Sequence, residues 1–311
     1  MVQRRDVIDA VARVSGLVRR TPVAGVDEPG WPGTAWFKCE YMQHTGSFKT
    51  RGALNRVLAA QDSGDLDPAV GVVAASGGNA GLAVAYAAAQ LGVPAQVYVP
   101  ETAPAMKVAK LRALGADVVQ HGAEYAEAYH AAMDRVAQTG ALYCHAYDQL
   151  DMVAGAGTLA MELFDQIPDG FDTVMLACGG GGLMAGVTTG LDGRARVVAV
   201  EPENAPTLRD ALAAGGPVDV PVSGVAADSL GARRIGDIAY RVAVAAGVVS
   251  LTVSDEDIVD ARHRLWHERR VVTEHGAAAA YAALTSGAYR PADGERVVVV
   301  LCGANTDAAD L

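Results

Sequence analysis

Residues 173–187 read TVMLACGGGGLMAGV and decide the fold of this chain, because an apolar run, four glycines and a second apolar run follow one another. The first run, Thr173–Ala177, is apolar on both faces, as a buried strand of a parallel sheet is. The second run, residues 183–187, predicts the start of a helix. A flexible linker does not sit between a buried strand and a helix. The glycines therefore predict a loop whose backbone amides approach a phosphate, assisted by the helix dipole.

On both sides of this stretch, short runs of β-branched residues alternate with alanine-rich helical segments. This alternation is typical of parallel strands joined by crossover helices, so the predicted class is α/β. Glycines and a serine mark helix ends, and no clean linker separates two domains. We therefore expect a small domain, residues 70–146, inserted in a large one, residues 1–69 and 147–311. The predicted strands are residues 70–74, 95–99, 117–119, 173–177, 196–200 and 296–301, and the predicted helices are residues 82–91, 106–114 and a segment after Ser254.

Composition and charge exclude several classes of protein. The chain has 311 residues, 51% of them hydrophobic, which is enough for two apolar cores of about 150 residues each. Lys and Arg number 25 against 36 Asp and Glu, and a net charge of -11 argues against a nucleic-acid or anionic-membrane partner. The N-terminus has neither the apolar core nor the cleavage site of a signal peptide, so we expect a cytoplasmic protein. The four cysteines are scattered singly, which argues against a zinc site or a redox dithiol.

A lysine segment, residues 45–52, reads TGSFKTRG. A lone lysine is nearly always a solvated surface group, but the neighbours of Lys49 are unusual. Small residues precede it and Phe48 adjoins it, which suits a lysine that lies desolvated against a flat ring. Loss of solvation lowers the pKa of a lysine and frees its amine to form an imine.

A second glycine-rich segment, residues 76–81, reads SGGNAG and follows an apolar strand. The glycines alone are equally compatible with a tight turn that needs positive φ. Ser76 and Asn79 add polar groups at the start of a helix, where exposed backbone amides bind anions. The segment therefore predicts a site for a substrate carboxylate.

These three segments, in this order and at this spacing, resemble those of the fold-type II pyridoxal-phosphate enzymes, whose fold is like that of the tryptophan synthase β subunit. The branch they resemble is that of serine/threonine dehydratase and serine racemase. The resemblance extends from Arg20-Thr21-Pro22 to Leu301-Cys302-Gly303. It implies that Lys49 holds pyridoxal 5'-phosphate as a Schiff base, that Phe48 lies against the ring and that Asn79 hydrogen-bonds the ring hydroxyl. It also implies a phosphate site at Gly179, Gly180, Gly181, Gly182 and Leu183, a substrate site at Ser76, Gly77, Asn79 and Ala80, and Cys302 beside the pyridine nitrogen.

The reaction that the resemblance implies is β-elimination of L-serine, L-threonine or a related β-hydroxyamino acid to a 2-oxo acid and ammonia. Lys49 would take the α-proton as general base, and the cofactor phosphate would protonate the departing hydroxyl. We expect a homodimer that binds a small amino acid. Three alternatives stay open: a β-replacement synthase, a racemase, and a catalytically silent protein that binds the cofactor.

Three further residues bear on the mechanism. Cys302 is a weak, neutral partner for the pyridine nitrogen, which favours prompt loss of a β-substituent, although a buried apolar role at a strand end is also credible. Relatives bind a divalent cation at positions that correspond to Glu201, Ala205 and Thr207, and the second acid is missing here, so we expect no metal. Gly77 stands where the racemases have a serine, so we expect little racemisation.

Overall fold

A computed structural model describes residues 1–27, 31–309 and 311 of the chain. Its strands are β1 (Val23–Val26), β2 (Thr34–Lys38), β3 (Val72–Ala75), β4 (Ala95–Val99), β5 (Asp117–Gln120), β6 (Leu142–Tyr143), β7 (Thr173–Ala177), β8 (Arg196–Pro202), β9 (Val249–Val253) and β10 (Arg296–Val300). Its helices are α1 (Arg4–Val14), α2 (Lys49–Ser63), α3 (Asn79–Leu91), α4 (Ala105–Ala113), α5 (Tyr125–Thr139), α6 (Leu150–Gln166), α7 (Gly182–Leu191), α8 (Thr207–Ala214), α9 (Asp237–Ala246), α10 (Asp255–Arg269) and α11 (His275–Thr285).

The strands form two sheets. The larger has the order β1-β2-β10-β7-β8-β9, and the smaller has the order β5-β4-β3-β6. In the described part of the chain, the neighbouring strands pair in parallel, except for the antiparallel pair β1 and β2. Strand β7 lies between β10 and β8, and Val174, Met175 and Leu176 are completely buried. The predicted α/β class with two mostly parallel sheets flanked by helices is confirmed.

The predicted strands at residues 95–99 and 173–177 coincide with β4 and β7. The prediction for residues 70–74 was wrong at its start, because the amides of Val70 and Gly71 donate to the Asp67 carbonyl in a turn and the strand begins at Val72. Strands β1, β2, β6 and β9 were missed. Strand β6 has only two residues, and β1 and β9 are partly exposed, so none of these three forms a continuous buried run.

Helix ends follow local backbone chemistry. Helix α3 begins at Asn79, three residues before the predicted start, and ends at Gly92 in the left-handed conformation. Helix α10 begins after Ser254 as predicted. The Ser254 hydroxyl accepts a hydrogen bond from the amide of Asp257, and the Asp257 carboxylate accepts one from the amide of Ser254, which forms a capping box.

Buried charges hold the first turn of α2 in place. The Arg51 guanidinium is fully buried and donates to both oxygens of Glu40, at 2.8 Å each, and to Glu162 at 2.6 Å. The Lys38 ammonium, at the end of β2, donates to the other oxygen of Glu162 at 2.5 Å. Burial alone would favour a protonated Glu40, but the Arg51 guanidinium holds the pKa of Glu40 below its usual range. The cluster joins α2 to the large sheet and to α6.

Helix α2 contacts both halves of the molecule. It packs extensively on α6 and on α3. Leu54 and Val57 belong to the apolar core that also contains Val72 and Val97 of the smaller sheet. The core under the smaller sheet therefore includes residues that precede position 70 in the chain. The domain boundaries at residues 69/70 and 146/147 stay predictions.

Candidate active site

The site lies at the carboxyl ends of two neighbouring strands. Strands β7 and β10 are paired, so the glycine loop after β7 lies beside the segment after β10. The lysine segment is tied to that second segment by an isolated bridge between Ser47 and Gly303 and by the Phe48 amide, which donates to the Cys302 carbonyl at 3.0 Å. One cavity results, and it is lined by Phe48, Lys49, Asn79, Tyr147, Ala177, Gly179, Gly180, Gly181, Gly182, Leu183, Ser229, Leu230, Glu274 and Cys302.

The Lys49 amine points into this cavity from the first residue of α2. Its Nζ donates to the Ala146 carbonyl at 2.6 Å and lies 5.2 Å from the centre of the Phe48 ring and 6.0 Å from that of Tyr147. The residue retains some exposure, but protein surrounds the amine. Burial lowers the pKa of Lys49 to about 8, while Cys302 and Glu274 oppose the shift. At pH 7 roughly a tenth of an amine with this pKa is neutral and nucleophilic, far more than for an ordinary lysine.

The glycine loop is packed so closely that side chains would not fit. A Cβ atom at position 180 would lie 2.4 Å from the Tyr147 ring, and one at position 181 would lie 2.5 Å from the Cβ of Ala239. Gly181 also has a φ of 82°, in the left-handed region. Helix α7 begins at Gly182, so its first amides open towards the loop. This is the geometry of a phosphate cradle.

Asn79 belongs to a polar network at the opposite wall of the cavity. Its Nδ2 donates to the two oxygens of Glu274 at 2.8 and 3.1 Å. Its Oδ1 accepts from Nδ2 of Asn305 at 2.7 Å. Glu274 is 7% exposed, and burial raises the pKa of its carboxyl, opposed by the hydrogen bond from Asn79. Neither Glu274 nor Asn305 was found by reasoning from the sequence, because neither lies in a recognisable motif.

Cys302 is a further residue in the wall of the cavity. Cys302 is 4% exposed, and burial raises the pKa of the thiol well above its ordinary value, with Glu274 adding to the shift. The thiol is therefore neutral at physiological pH and offers a weak hydrogen bond rather than a charge.

A second, wider cavity of about 440 Å³ adjoins the first. Its walls include Gly77, Gly78 and Asn79, the side chains of Leu82 and Met106, and an ion pair between Lys107 and Asp228. Of the predicted substrate residues, Gly77 and Asn79 therefore line this space. Ser76 and Ala80 are not among the residues that line either cavity. The Ser76 hydroxyl accepts a hydrogen bond from the Gly78 amide at 3.3 Å, and Ala80 is buried.

Glu201 is completely buried near the glycine loop, and protein donors occupy its carboxylate. Its Oε1 accepts from the Thr207 hydroxyl at 3.0 Å and the Leu208 amide at 2.6 Å, and its Oε2 accepts from the Arg209 amide at 2.9 Å. The Thr207 hydroxyl also lies 2.5 Å from the Gly179 carbonyl. Among the described residues, no group of three or more His, Cys, Asp or Glu side chains is arranged to hold a metal ion.

Tyr147, Ser229 and Leu230 were also missed by reasoning from the sequence. These residues do not belong to any of the glycine-rich segments. They reach the cavity because the tertiary fold brings distant parts of the chain together there. Within residues 1–27, 31–309 and 311, no helix is both long and apolar enough to cross a membrane.

Comparison with known proteins places the chain in a family. Residues 14–303 match the model of the pyridoxal-phosphate dependent enzymes. A phenylserine dehydratase from Ralstonia pickettii is 38% identical, over 96% of this chain and 91% of the relative. An L-threonine ammonia-lyase from Thermotoga maritima is 32% identical, over 99% of this chain and 76% of the relative. The structure of maize serine racemase superposes with a TM-score of 0.91 at 30% identity, over 99% of this chain and 94% of that one. The chain therefore belongs to the pyridoxal-phosphate dependent enzymes, in the serine/threonine dehydratase branch.

Proposed function

We propose that Lys49 is the residue that binds pyridoxal phosphate and that the chain eliminates the β-hydroxyl of L-serine, L-threonine or a related amino acid. The protein is a pyridoxal-phosphate-dependent ammonia-lyase, and its products are a 2-oxo acid and ammonia. The observation that carries the assignment of Lys49 is its buried amine, which shares one cavity with the glycine loop, Asn79 and Cys302.

The chemistry of the cavity walls fits this cofactor. The glycine loop lines the cavity with backbone that no side chain covers, and the start of α7 supplies amides that are able to bind a phosphate. Asn79 offers an N–H donor for the ring hydroxyl, and Cys302 offers a neutral thiol for the pyridine nitrogen. When bound, the cofactor supplies an electron-withdrawing ring that makes the α-proton of an attached amino acid acidic.

Lys49 is the proposed general base. Its amine, with a pKa of about 8, accepts the α-proton when it is free. The Ala146 carbonyl, 2.6 Å away, holds the free amine inside the cavity. The first-turn amides of α3, together with the backbone of Gly77 and Gly78 that lines the wider cavity, are the proposed site for the substrate carboxylate. The wider cavity, with Leu82 and Met106 among its walls, is the proposed space for the substituent on the β-carbon.

Which hydroxyamino acid is preferred stays a prediction, as do the homodimer and the cytoplasmic location. Relatives act on both small and aromatic substrates, to judge from an L-threonine ammonia-lyase and a phenylserine dehydratase. A β-replacement synthase would use the same cavity with a second nucleophile. A catalytically silent protein that binds the cofactor would not need Lys49. The presence of Lys49 beside the glycine loop, Asn79 and Cys302 argues against that alternative.

The first test measures product stoichiometry. With serine, threonine or 3-phenylserine as sole substrate, we expect equal amounts of a 2-oxo acid and ammonia, because Lys49 is the only acid-base group that elimination requires from the protein. Coupled assays for both products over this panel measure the yields and rank the substrates. Turnover that requires sulfide or another nucleophile, and that yields a new amino acid, would identify a synthase instead.

The second test concerns Lys49 itself. Lys49→Ala removes the attachment point and the base, so we expect loss of the visible absorption of the bound cofactor and a fall in activity of roughly 10²- to 10⁴-fold or more. The exposed Lys110 provides a matched control, and Lys110→Ala should keep the absorption band. A borohydride-reducible linkage in the Lys49→Ala protein would show that another lysine holds the cofactor.

The pH dependence of cofactor capture follows from the same amine. Below its pKa the Lys49 amine is protonated and does not attack an aldehyde. The rate at which apoenzyme captures the cofactor should therefore rise with pH and reach half its maximum near pH 8, far below the value for an ordinary lysine. Stopped-flow absorbance between pH 6 and pH 10 measures it.

The third test concerns racemisation. A racemase would need acid-base groups on both faces of the substrate α-carbon, and Gly77 carries no proton to give. D-serine formation should trail pyruvate formation by about 10²- to 10⁴-fold. A Cβ atom at position 77 would lie 3.4 Å from a methyl group of Val99, an ordinary contact, so Gly77→Ser should fold and gain D-serine formation. Chiral chromatography follows both products, and comparable initial rates in the unaltered enzyme would contradict the assignment.

The fourth test concerns metals. We propose that the enzyme needs no divalent cation at Glu201, because hydrogen bonds from Thr207, Leu208 and Arg209 already occupy its carboxylate. Activity should remain within about twofold after dialysis against a chelator, since a site with one acid binds a hard cation weakly. Activity that collapses in chelator and returns with magnesium would refute this proposal.

A further inference from the structure

Asn79, Glu274 and Asn305 form a closed ring of hydrogen bonds at the edge of the cofactor cavity. Asn79 donates to Glu274, the amide of Asn305 donates to Glu274 Oε2 at 3.2 Å, and the side chain of Asn305 donates back to Asn79. Asn79 and Glu274 both line the cavity that contains Lys49. The ring is therefore placed to control a group that faces the cofactor.

Glu274 determines which end of the Asn79 amide faces it. A carboxylate only accepts hydrogen bonds, and both oxygens of Glu274 lie within 3.1 Å of the same atom of Asn79. With Glu274 ionised, that atom is nitrogen, because an amide oxygen there would face an acceptor with no proton between them. The contact of Asn305 with the Thr45 carbonyl requires the same assignment whatever the protonation state of Glu274. Glu274 reaches this position because residue 303 is glycine, where a Cβ atom would lie 2.5 Å from Glu274 Oε1.

Asn305 imposes the same orientation from the other side. Its Nδ2 donates to the Thr45 carbonyl at 2.7 Å and to Asn79 Oδ1 at 2.7 Å. A backbone carbonyl only accepts, so the Asn305 atom that faces Thr45 must be nitrogen, and its second N–H is left for Asn79. Thr45 is itself held in the left-handed region, with a φ of 60°, four residues before Lys49. The orientation of Asn79 is thus set by two acceptors of fixed polarity.

The number of hydrogens on Asn79 Nδ2 determines what this side chain offers to the cavity. The Asn79 Nδ2 carries two hydrogens, and both Glu274 oxygens lie on the same side of it, at 2.8 and 3.1 Å. The two oxygens of one carboxylate are too close together to align with two N–H bonds that diverge widely, so they share one N–H and the other remains for the cavity. We infer that Glu274 and Asn305 are positioning residues that hold Asn79 as a donor of fixed direction towards the ring hydroxyl of the cofactor. This inference rests on the proposed function, since it takes Asn79 as a cofactor ligand.

A double-mutant cycle tests the inference. Glu274→Gln keeps the size of the side chain but brings an N–H towards either Asn79 or the Asn305 amide. Either the hydrogen-bonded ring opens or the Asn79 amide flips. Apoenzyme should bind pyridoxal phosphate roughly tenfold or more weakly, because a buried polar group loses its partner. Asn305→Ala should act in the same direction through the same amide. In an Asn79→Ala background, both substitutions should have little further effect on cofactor affinity or on the absorption spectrum.

Glu295 provides a matched control. It also accepts several hydrogen bonds, from Thr173, Tyr289 and the Ala292 amide, but it lies at the opposite end of β10. Glu295→Gln should leave the affinity and spectrum unchanged even if it lowers the melting temperature. A Glu274→Gln effect of the same size in the Asn79→Ala background, or an unchanged affinity in both the Glu274→Gln and Asn305→Ala proteins, would overturn the inference. In either case Lys49-dependent cofactor binding and ammonia release would still stand, so the two failures are distinguishable.

Discussion

The buried guanidinium of Arg51 is the interaction on which the site depends. It lies two residues after Lys49 and is held by Glu40, next to the large sheet, and by Glu162 of α6. Removing one partner from a buried ion pair costs about 3 to 5 kcal/mol, because the other charge is left without compensation. The first turn of α2 therefore has little freedom to move or rotate. Since Lys49 is the first residue of that turn, the direction of its side chain is set by charges that never touch the cofactor cavity.

A lysine fixed in this way becomes reactive through burial. The same packing that anchors α2 surrounds the Lys49 amine with protein and lowers its pKa to about 8. Two other ionisable side chains, Cys302 and Glu274, line the same cavity. Burial raises the pKa of both groups, so Cys302 stays a neutral thiol, and Glu274 accepts hydrogen bonds from Asn79 and the Asn305 amide. The cavity thus combines an amine with a lowered pKa, a neutral thiol and a carboxyl group that hydrogen bonds hold against Asn79.

The two sheets contribute different parts of this cavity. The large sheet supplies the glycine loop after β7 and the Cys302 segment after β10, while the smaller sheet supplies Asn79 at the start of α3. Parallel strands place these loops at their carboxyl ends, where ligands bind in open α/β sheets. The ion pair between Lys107 and Asp228 lines the wider cavity, as does Gly77. The proposed substrate space is therefore lined by residues from both halves of the molecule, whereas the proposed phosphate cradle belongs to the large sheet.

The features that could be predicted from the sequence are those that local chemistry encodes. Strands β4 and β7 were predictable because each is a short, mainly apolar run, and the start of α10 because a serine hydroxyl caps a helix. Lys49 and the glycine loop stood out because their neighbours are unusual. The partners of Asn79, by contrast, were revealed by the tertiary structure. Glu274 is 195 residues away along the chain and Asn305 is 226 away. No local pattern marks such residues, because a hydrogen bond depends on distance in space, and the packing of two sheets brings these side chains together.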